Sequence, residues 1–494
     1  MILTCTVLAQ LVLMVMVTIV MISLPEIQST LNLSDTDRTW VVTAYLLPFG
    51  ALMLFGGKLS QRIGVRPAFL VGIIGFAVMS IAGGFAPNFA ILMVARVAQG
   101  VFAAILAPAN LSLISTTFVE PKERGRAFVL FGSAGGAGAA LGLLFGGIIT
   151  QALNWRWCFF VVAIVALIVG ILAISAIKGV GKAEPGRLTA DLIGLVLGCA
   201  GLFGLIYGLS EAGRSGWGSV ATISFIIAGA VLLVLFVIRE RFAAEPVLPL
   251  WVVKDARRAS SNIVMLFGGC AQLGAFLYLT YYLQKNLHYS ATVTGVAILP
   301  MIAIFVAASL VASHLLIPRI GVGFIFPLGT LIQAIGFFIL SALSPSSTYA
   351  SIVLPSLIVV GIGMGFAMPA AFSAGTHRIP SSHSGVASAL LNSSQQLGGS
   401  FGVAYLSTYA TQHIATAMSN SAAAIHAEIA QAIAAAGVTA DSARGQQIAS
   451  ATALHHEGIA AIAAYAGGFQ VIAWVCVAAT VVLGIIAVAT RKED

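Results

Sequence analysis

Arg62-Ile63-Gly64-Val65-Arg66-Pro67-Ala68-Phe69-Leu70-Val71-Gly72 returns later in the chain as Arg319-Ile320-Gly321-Val322-Gly323-Phe324-Ile325-Phe326-Pro327-Leu328-Gly329. In both stretches a basic residue precedes a glycine, and an apolar run follows at once. Glycine reaches backbone angles closed to other residues, so each Ile-Gly-Val step predicts a tight turn between two helices. Two such turns at equivalent places predict two related halves.

The runs on either side settle the class. The 494 residues are 59% hydrophobic and 8% charged, with a mean hydropathy of +1.03. A soluble domain carries roughly 25% charge. A hydrocarbon layer of about 30 Å needs about 20 apolar residues per helix, and we count fourteen runs of that order. They are residues 3–24, 40–57, 67–85, 90–112, 127–151, 157–177, 192–209, 220–238, 259–282, 294–316, 324–343, 351–372, 385–409 and 469–490. Only helices satisfy every backbone polar group within one spanning segment. The expectation is an all-α polytopic membrane protein. The first run reads as a retained helix: no basic residue precedes it, and it ends in Leu24-Pro25-Glu26 instead of a small-residue cleavage site.

The net charge of +8 is read as topology. Of 24 Lys and Arg, 18 fall in alternate loops on one side, among them Lys58, Arg62, Arg66, Lys122, Arg257, Arg319 and Arg378. The positive-inside rule makes that side cytoplasmic and puts both termini there. The basic balance therefore implies no nucleic-acid partner. The loops divide the runs six, two and six: a bundle over 1–178, a linker with two extra spans over 179–258, and a second bundle over 259–494. The last contains an Ala-rich outer segment, 411–464, whose stretches 421–436 and 450–464 have helical composition.

Several stretches resemble motifs of one family. Gly57-Lys58-Leu59-Ser60-Gln61-Arg62-Ile63-Gly64-Val65-Arg66 is similar to the loop signature between helices two and three of the major facilitator superfamily. Arg96-Val97-Ala98-Gln99-Gly100 resembles its fourth-helix motif, and 138–147 its fifth-helix antiporter motif. Asn154-Trp155-Arg156-Trp157 matches the entry to helix six. The chain is identified as a member of the fourteen-helix drug:proton antiporter branch. The resemblance implies a major facilitator fold of 6+2+6 helices. It also implies alternating access and export of hydrophobic or amphiphilic, antibiotic-like molecules by proton antiport across the cytoplasmic membrane. Four departures fall on functional positions: Met16 and Met21 stand where such exporters carry Asp and Asn, Gln61 replaces Asp, and Leu143 replaces Pro. None of the 16 acidic residues lies inside an apolar run.

Candidate residues follow. A charge near mid-membrane is expensive and ordinarily faces a cavity or a partner, so Arg96, with Gln99 and Gly100, is the first candidate for coupling. His314 is the only group inside a run that titrates near neutrality unperturbed. The resemblance assigns gating to Gly57, Gln61, Arg62, Gly64 and Arg66, echoed by Arg319 and Gly321. Gly138, Gly142 and Gly146 share a helix face that admits a close neighbour; the resemblance implies that they and Gly147 form a hinge between the domains. Uncharged polar groups with aromatics suit an amphiphile, which singles out Asn110, Asn262, Gln272, Tyr278, Asn392 and Gln395 for a cavity that includes Met16 and Met21.

No P-loop or catalytic constellation is present, so neither nucleotide hydrolysis nor enzyme activity is expected. Five scattered cysteines lack metal-ligand spacing, and His455-His456-Glu457 reads as a solvated turn, so no cofactor or metal is expected. The partners implied are the bilayer, an amphiphilic small molecule and protons. The residues leave two other readings open: an uncoupled facilitator of a neutral or anionic solute, and a membrane sensor or scaffold that has lost transport.

Overall fold

The computed structural model describes the chain apart from residues 119, 178–190, 244, 245, 247, 249, 377, 378, 380–383 and 491–494. Side chains of residues 35, 36, 61, 115, 121, 122, 124–126, 128, 129, 132, 133, 253, 384–386 and 488–490 are likewise outside the description. The expected polar linker, the Gln61 side chain, and those of Lys122 and Arg378 lie there.

Among the described residues there are fourteen long helices and no strand. They are α1 (Ile2–Thr30), α2 (Asp35–Ile63), α3 (Val65–Gly84), α4 (Phe89–Thr117), α5 (Pro121–Ala152), α6 (Trp155–Ala176) and α7 (Leu192–Ser215). Then come α8 (Val220–Phe242), α9 (Ala256–Asn286), α10 (Ala291–Ile320), α11 (Val322–Leu340), α12 (Tyr349–Gly375), α13 (Ser384–Ala435) and α14 (Ala443–Thr490). Short connections are possible because helix starts are capped. The side chains of Ser34, Asn88, Asn154, Ser219 and Ser290 each accept a backbone N–H of the following turn, and losing such a cap costs about 1 kcal/mol. The opening repeat has the expected backbone. Gly64 ends α2 at φ 94° and Gly321 ends α10 at φ 80°, both in the left-handed region that favours glycine.

Thirteen of the fourteen helices are long and apolar enough to cross a membrane; α13 falls short on composition. Its place in the fold explains why. Ser393, Ser394, Gln396, Ser400, Ser407 and Thr408 are all buried against protein, so this helix has little need of a lipid-facing apolar surface. The helices also run past the apolar runs. Glu26, Glu211 and Glu240 fall within the ends of α1, α7 and α8, outside the apolar runs.

Helices α1–α6 pack on one another, as do α9–α14. Two seams join these groups, α2 against α13 and α5 against α10. Helix α7 lies along the α2–α13 seam through Leu47, Ile206 and Ala404, and α8 packs chiefly on α7. The rest of α8 shows Val231, Val234 and Ile238 outward, as a lipid-facing helix would. The Ala-rich segment is not a separate loop. It continues α13 and α14, 52 and 48 residues long, to a turn at Gly437 with φ 64°. At 1.5 Å per residue each helix is roughly 70–80 Å long, so a helical hairpin projects well beyond any bilayer.

The halves meet tightly where α1 and α9 finish, here termed the far end. From Met16 to Pro25 every residue of α1 is buried, as is every residue of α9 from Phe276 to Leu283.

Candidate functional site

The first polar assembly lies inside the α1–α6 group. Arg96 is 1% exposed. Its Nε donates to the Val41 carbonyl at 2.8 Å and its Nη1 to Gln99 Oε1 at 3.1 Å. The guanidinium sits 4.6 Å from the centre of the Tyr45 ring, an attraction that strengthens when water is excluded. Gln99 Nε2 donates to the Ser80 hydroxyl at 2.8 Å and approaches the Met16 sulfur at 4.0 Å. Gly100 admits this arrangement, because a Cβ there would overlap the Tyr45 carbonyl and the Pro48 ring. A thioether is a weak acceptor with no proton to exchange. Met16 thus stands beside the Gln99 amide, where an acid would accept a hydrogen bond next to the arginine–glutamine pair. The expectation that Arg96 faces a cavity is corrected: it is a packed arginine held by a carbonyl, an amide and an aromatic face.

Other candidates separate from this assembly. His314 sits in a π-helical turn, Ala312–Leu316, on an exposed face between Val311 and Leu315, bonded to the Leu310 carbonyl at 3.1 Å. It is not brought to Arg96, and its place on the apolar exterior counts against a proton relay. Asn110 donates to the Thr6 carbonyl at 3.0 Å, tying α4 to α1. Met21 is buried in α1. Tyr278 is buried against the Tyr465 and Phe469 rings and donates to the Leu406 carbonyl. These three are packing residues in this structure, not cavity walls.

In the glycine helix, Gly138, Gly142 and Gly146 do share one face, and α1 fills it: a Cβ at Gly138 would come within 2.9 Å of the Leu11 carbonyl. That contact is internal to the α1–α6 group. The seam with the other group is served by Gly147, against Ala291 and Thr292 of α10, and by the Leu143 carbonyl beneath Gly295. At the repeated turn, Arg66 donates to the Ile174 carbonyl at 3.1 Å, and Arg319 and Gly321 are exposed. A Cβ added at Gly57 would lie 3.7 Å from the Pro108 ring.

The second polar assembly joins α9 to α13. Ser394 donates to Asn262 Oδ1 at 3.2 Å, and Gln395 Nε2 approaches Gln272 Oε1 at 3.4 Å. Asn392 donates back to the Ser388 carbonyl at 2.9 Å. Asn262, Gln272, Asn392 and Gln395 are all partly exposed, so this pair of helices carries the reachable uncharged amides.

Composition and motifs missed a latch at the far end. Tyr281 donates to Gln28 Oε1 at 2.7 Å, Arg38 stacks on the Tyr281 ring at 4.2 Å, and Gln284 donates to the Ile22 carbonyl at 3.1 Å. The bond from Thr39 to Ser407, at 2.6 Å, ties α2 to α13 nearby. Glutamines at helix ends are unremarkable in sequence, and nothing local marks residues 28 and 281 as neighbours.

Two helical groups meeting along glycine-relieved seams, with a polar pair on each side, is the plan of a protein that moves solutes between its halves. A profile of the Major Facilitator Superfamily matches residues 6–192 and 180–403. The chain belongs to this superfamily. Major facilitator relatives include a puromycin resistance protein of Streptomyces alboniger, 43% identical over 82% of this chain and 80% of that protein. A cephamycin export protein of Amycolatopsis lactamdurans is 33% identical over 79% of this chain and 80% of its own length. A tetracenomycin C resistance and export protein of Streptomyces glaucescens is 32% identical over 79% and 72%. Among solved structures, a bacterial homologue of the human lysosomal transporter Spinster superposes over 100% of this chain and 98% of its own, with a TM-score of 0.66 at 17% identity. At that identity the likeness shows the fold alone. The chain is a multi-pass membrane transporter of the major facilitator type.

Proposed function

We propose that the chain exports amphiphilic, antibiotic-like small molecules across the cytoplasmic membrane by alternating access. The similarity to resistance and export proteins over about four-fifths of the chain carries this reading. In it, residues 1–178 and 259–494 rock about the α2–α13 and α5–α10 seams, with 179–258 as an added pair. The charge asymmetry supports cytoplasmic termini and an outward-projecting α13–α14 hairpin.

Met16 beside Gln99 bears on the energy source. Antiport needs a group that gains and loses a proton as the site changes sides, and neither a thioether nor an amide does so. Of the helix-end carboxylates, Asp191 is held by Arg239 at 2.9 Å and Glu211 by Ser215 at 2.6 Å. Glu26, half-buried in α1, accepts from the Trp155 backbone N–H at 3.4 Å, with no cation against it among the described residues. Of these three, Glu26 alone has no side-chain partner among the described residues, so it is the one through which proton antiport would run. The same Met16 favours a second reading, movement that a pH gradient does not drive. Puromycin flux in proteoliposomes, with and without an imposed pH gradient, tests both. Gradient-driven flux lost in Glu26→Gln supports antiport through α1, and equal flux in both conditions supports the facilitator. No flux of puromycin or of other antibiotics would refute export.

A further inference from the structure

We propose that a crevice enclosed by α9, α10, α11 and α12, with Gln272 in its wall, seats the apolar part of an uncharged amphiphile. The proposal rests on the export reading and narrows its substrate class. The crevice measures about 20 Å³ and is walled by Phe276, Met301, Phe337, Leu357 and Met364 among other apolar side chains. It lies within the second helical group and reaches α11, away from the seams.

Three observations point to this ligand class. Among the described residues Gln272 is the one polar residue lining the crevice, and no charged side chain does so. A charged group entering would lose its hydration with no counter-ion to offset the loss. Next, Gln272 uses its carbonyl oxygen to receive Gln395, and no other hydrogen bond engages its side chain among the described residues. Its amide hydrogens are therefore available to a ligand carbonyl or ether oxygen. Finally, the present volume holds about one small group, but Met301 and Met364 form part of the wall. Unbranched, polarizable methionine side chains re-pack around ligands of different shape and favour aromatic neighbours. The crevice is thus an expandable apolar slot with one hydrogen-bond donor in its wall. Gln395 links that donor to α13, the helix that meets α2 across the seam, so occupancy is mechanically connected to the interface between halves.

The test measures uptake into inverted membrane vesicles of Nile red, an uncharged dye, ethidium, a permanent cation, and puromycin. The wild-type protein is expected to carry Nile red and not ethidium. Met301→Trp, which fills the crevice, should raise the half-saturating concentration of Nile red at least tenfold. Gln272→Glu places a carboxylate in the wall and should reverse the preference, admitting ethidium and reducing Nile red uptake at least tenfold. That gain cannot come from misfolding, and monodisperse purification of Met301→Trp separates blockage from collapse. Unchanged Nile red kinetics in folded Met301→Trp, or wild-type preference for ethidium, would overturn the proposal. Wild-type uptake of puromycin without Nile red would leave export standing and overturn the crevice. Uptake of none of the three would overturn both.

Discussion

Gly142 and Gly147 lie little more than one turn apart on α5, yet an added methyl group should act differently at each. At Gly142 a Cβ would overlap the Thr18 hydroxyl and lie 2.8 Å from the Val15 carbonyl, both in α1 of the same group. At Gly147 it would overlap the Ala291 carbonyl and lie 2.6 Å from Thr292 Cα, across the seam. Overpacking of this kind costs about 1–3 kcal/mol. In Gly142→Ala that cost falls on every state in which α1 and α5 stay together, so thermal stability should fall with no change in conformational balance. In Gly147→Ala it falls only on states closed at the far end. The equilibrium should then shift toward opening by about 5- to 150-fold. Spin labels at Thr30 and Lys285, both exposed near that end, would report the separation of the halves after the five cysteines are replaced. Longer distances in Gly147→Ala, and unchanged distances in Gly142→Ala, are expected. Identical distance distributions in the two variants would refute the assignment of the α5–α10 contact to gating.

Other outcomes follow from the same geometry. Tyr281→Phe combined with Gln284→Ala removes two far-end bonds of about 1 kcal/mol each, and should lengthen the same spin-label distance while leaving the melting temperature nearly unchanged. Arg96→Ala strips Val41 and Gln99 of an ionic donor and leaves a cavity, so transport and thermal stability should fall together. Arg96→Lys should recover only part of each, since it lacks the planar fork that bonds and stacks at once; normal flux and an unchanged melting temperature in Arg96→Ala would show that the charge serves neither role. Met16→Asp places a carboxylate beside Gln99 and within the reach of the Arg96 assembly, and should make flux more dependent on a pH gradient; no change would count against an α1 proton position. Although burial alone would raise it, the Asp191 carboxyl is held below its usual range by the Gly194 backbone N–H and by Arg239. Its contribution is therefore complete above the ordinary aspartate value and disappears as pH falls through the lower folded value. Asp191→Asn should cost up to about 1 kcal/mol near neutrality and nothing at strongly acid pH, measured by thermal melts across that range.

The membrane fold was legible because bilayer thickness fixes helix length, and the fourteen runs expected became fourteen helices. The two Ile-Gly-Val turns were legible because only glycine meets the backbone requirement there. Legibility ended where a residue's role depends on what stands opposite. Arg96 was expected in a cavity because sequence shows cost without partners; the structure supplies Val41, Gln99 and Tyr45. His314 was marked by its intrinsic titration, which says nothing of the helix face it occupies. Gly138, Gly142 and Gly146 announce a close neighbour without saying which helix it is.

By itself, then, the sequence determined the class of solvent around this protein, the number of its helices, the turns that only glycine can make, and the absence of an acid from the middle of α1. These are local properties, set by the transfer energies and backbone angles of individual residues. Only the tertiary structure decided that Met16 meets Gln99, that Gln28 closes on Tyr281, and that the reachable amides of α9 and α13 stand beside an apolar crevice. Each of those depends on helices distant in sequence being brought to contact distance, and no pattern within one helix encodes which residue its neighbour will present.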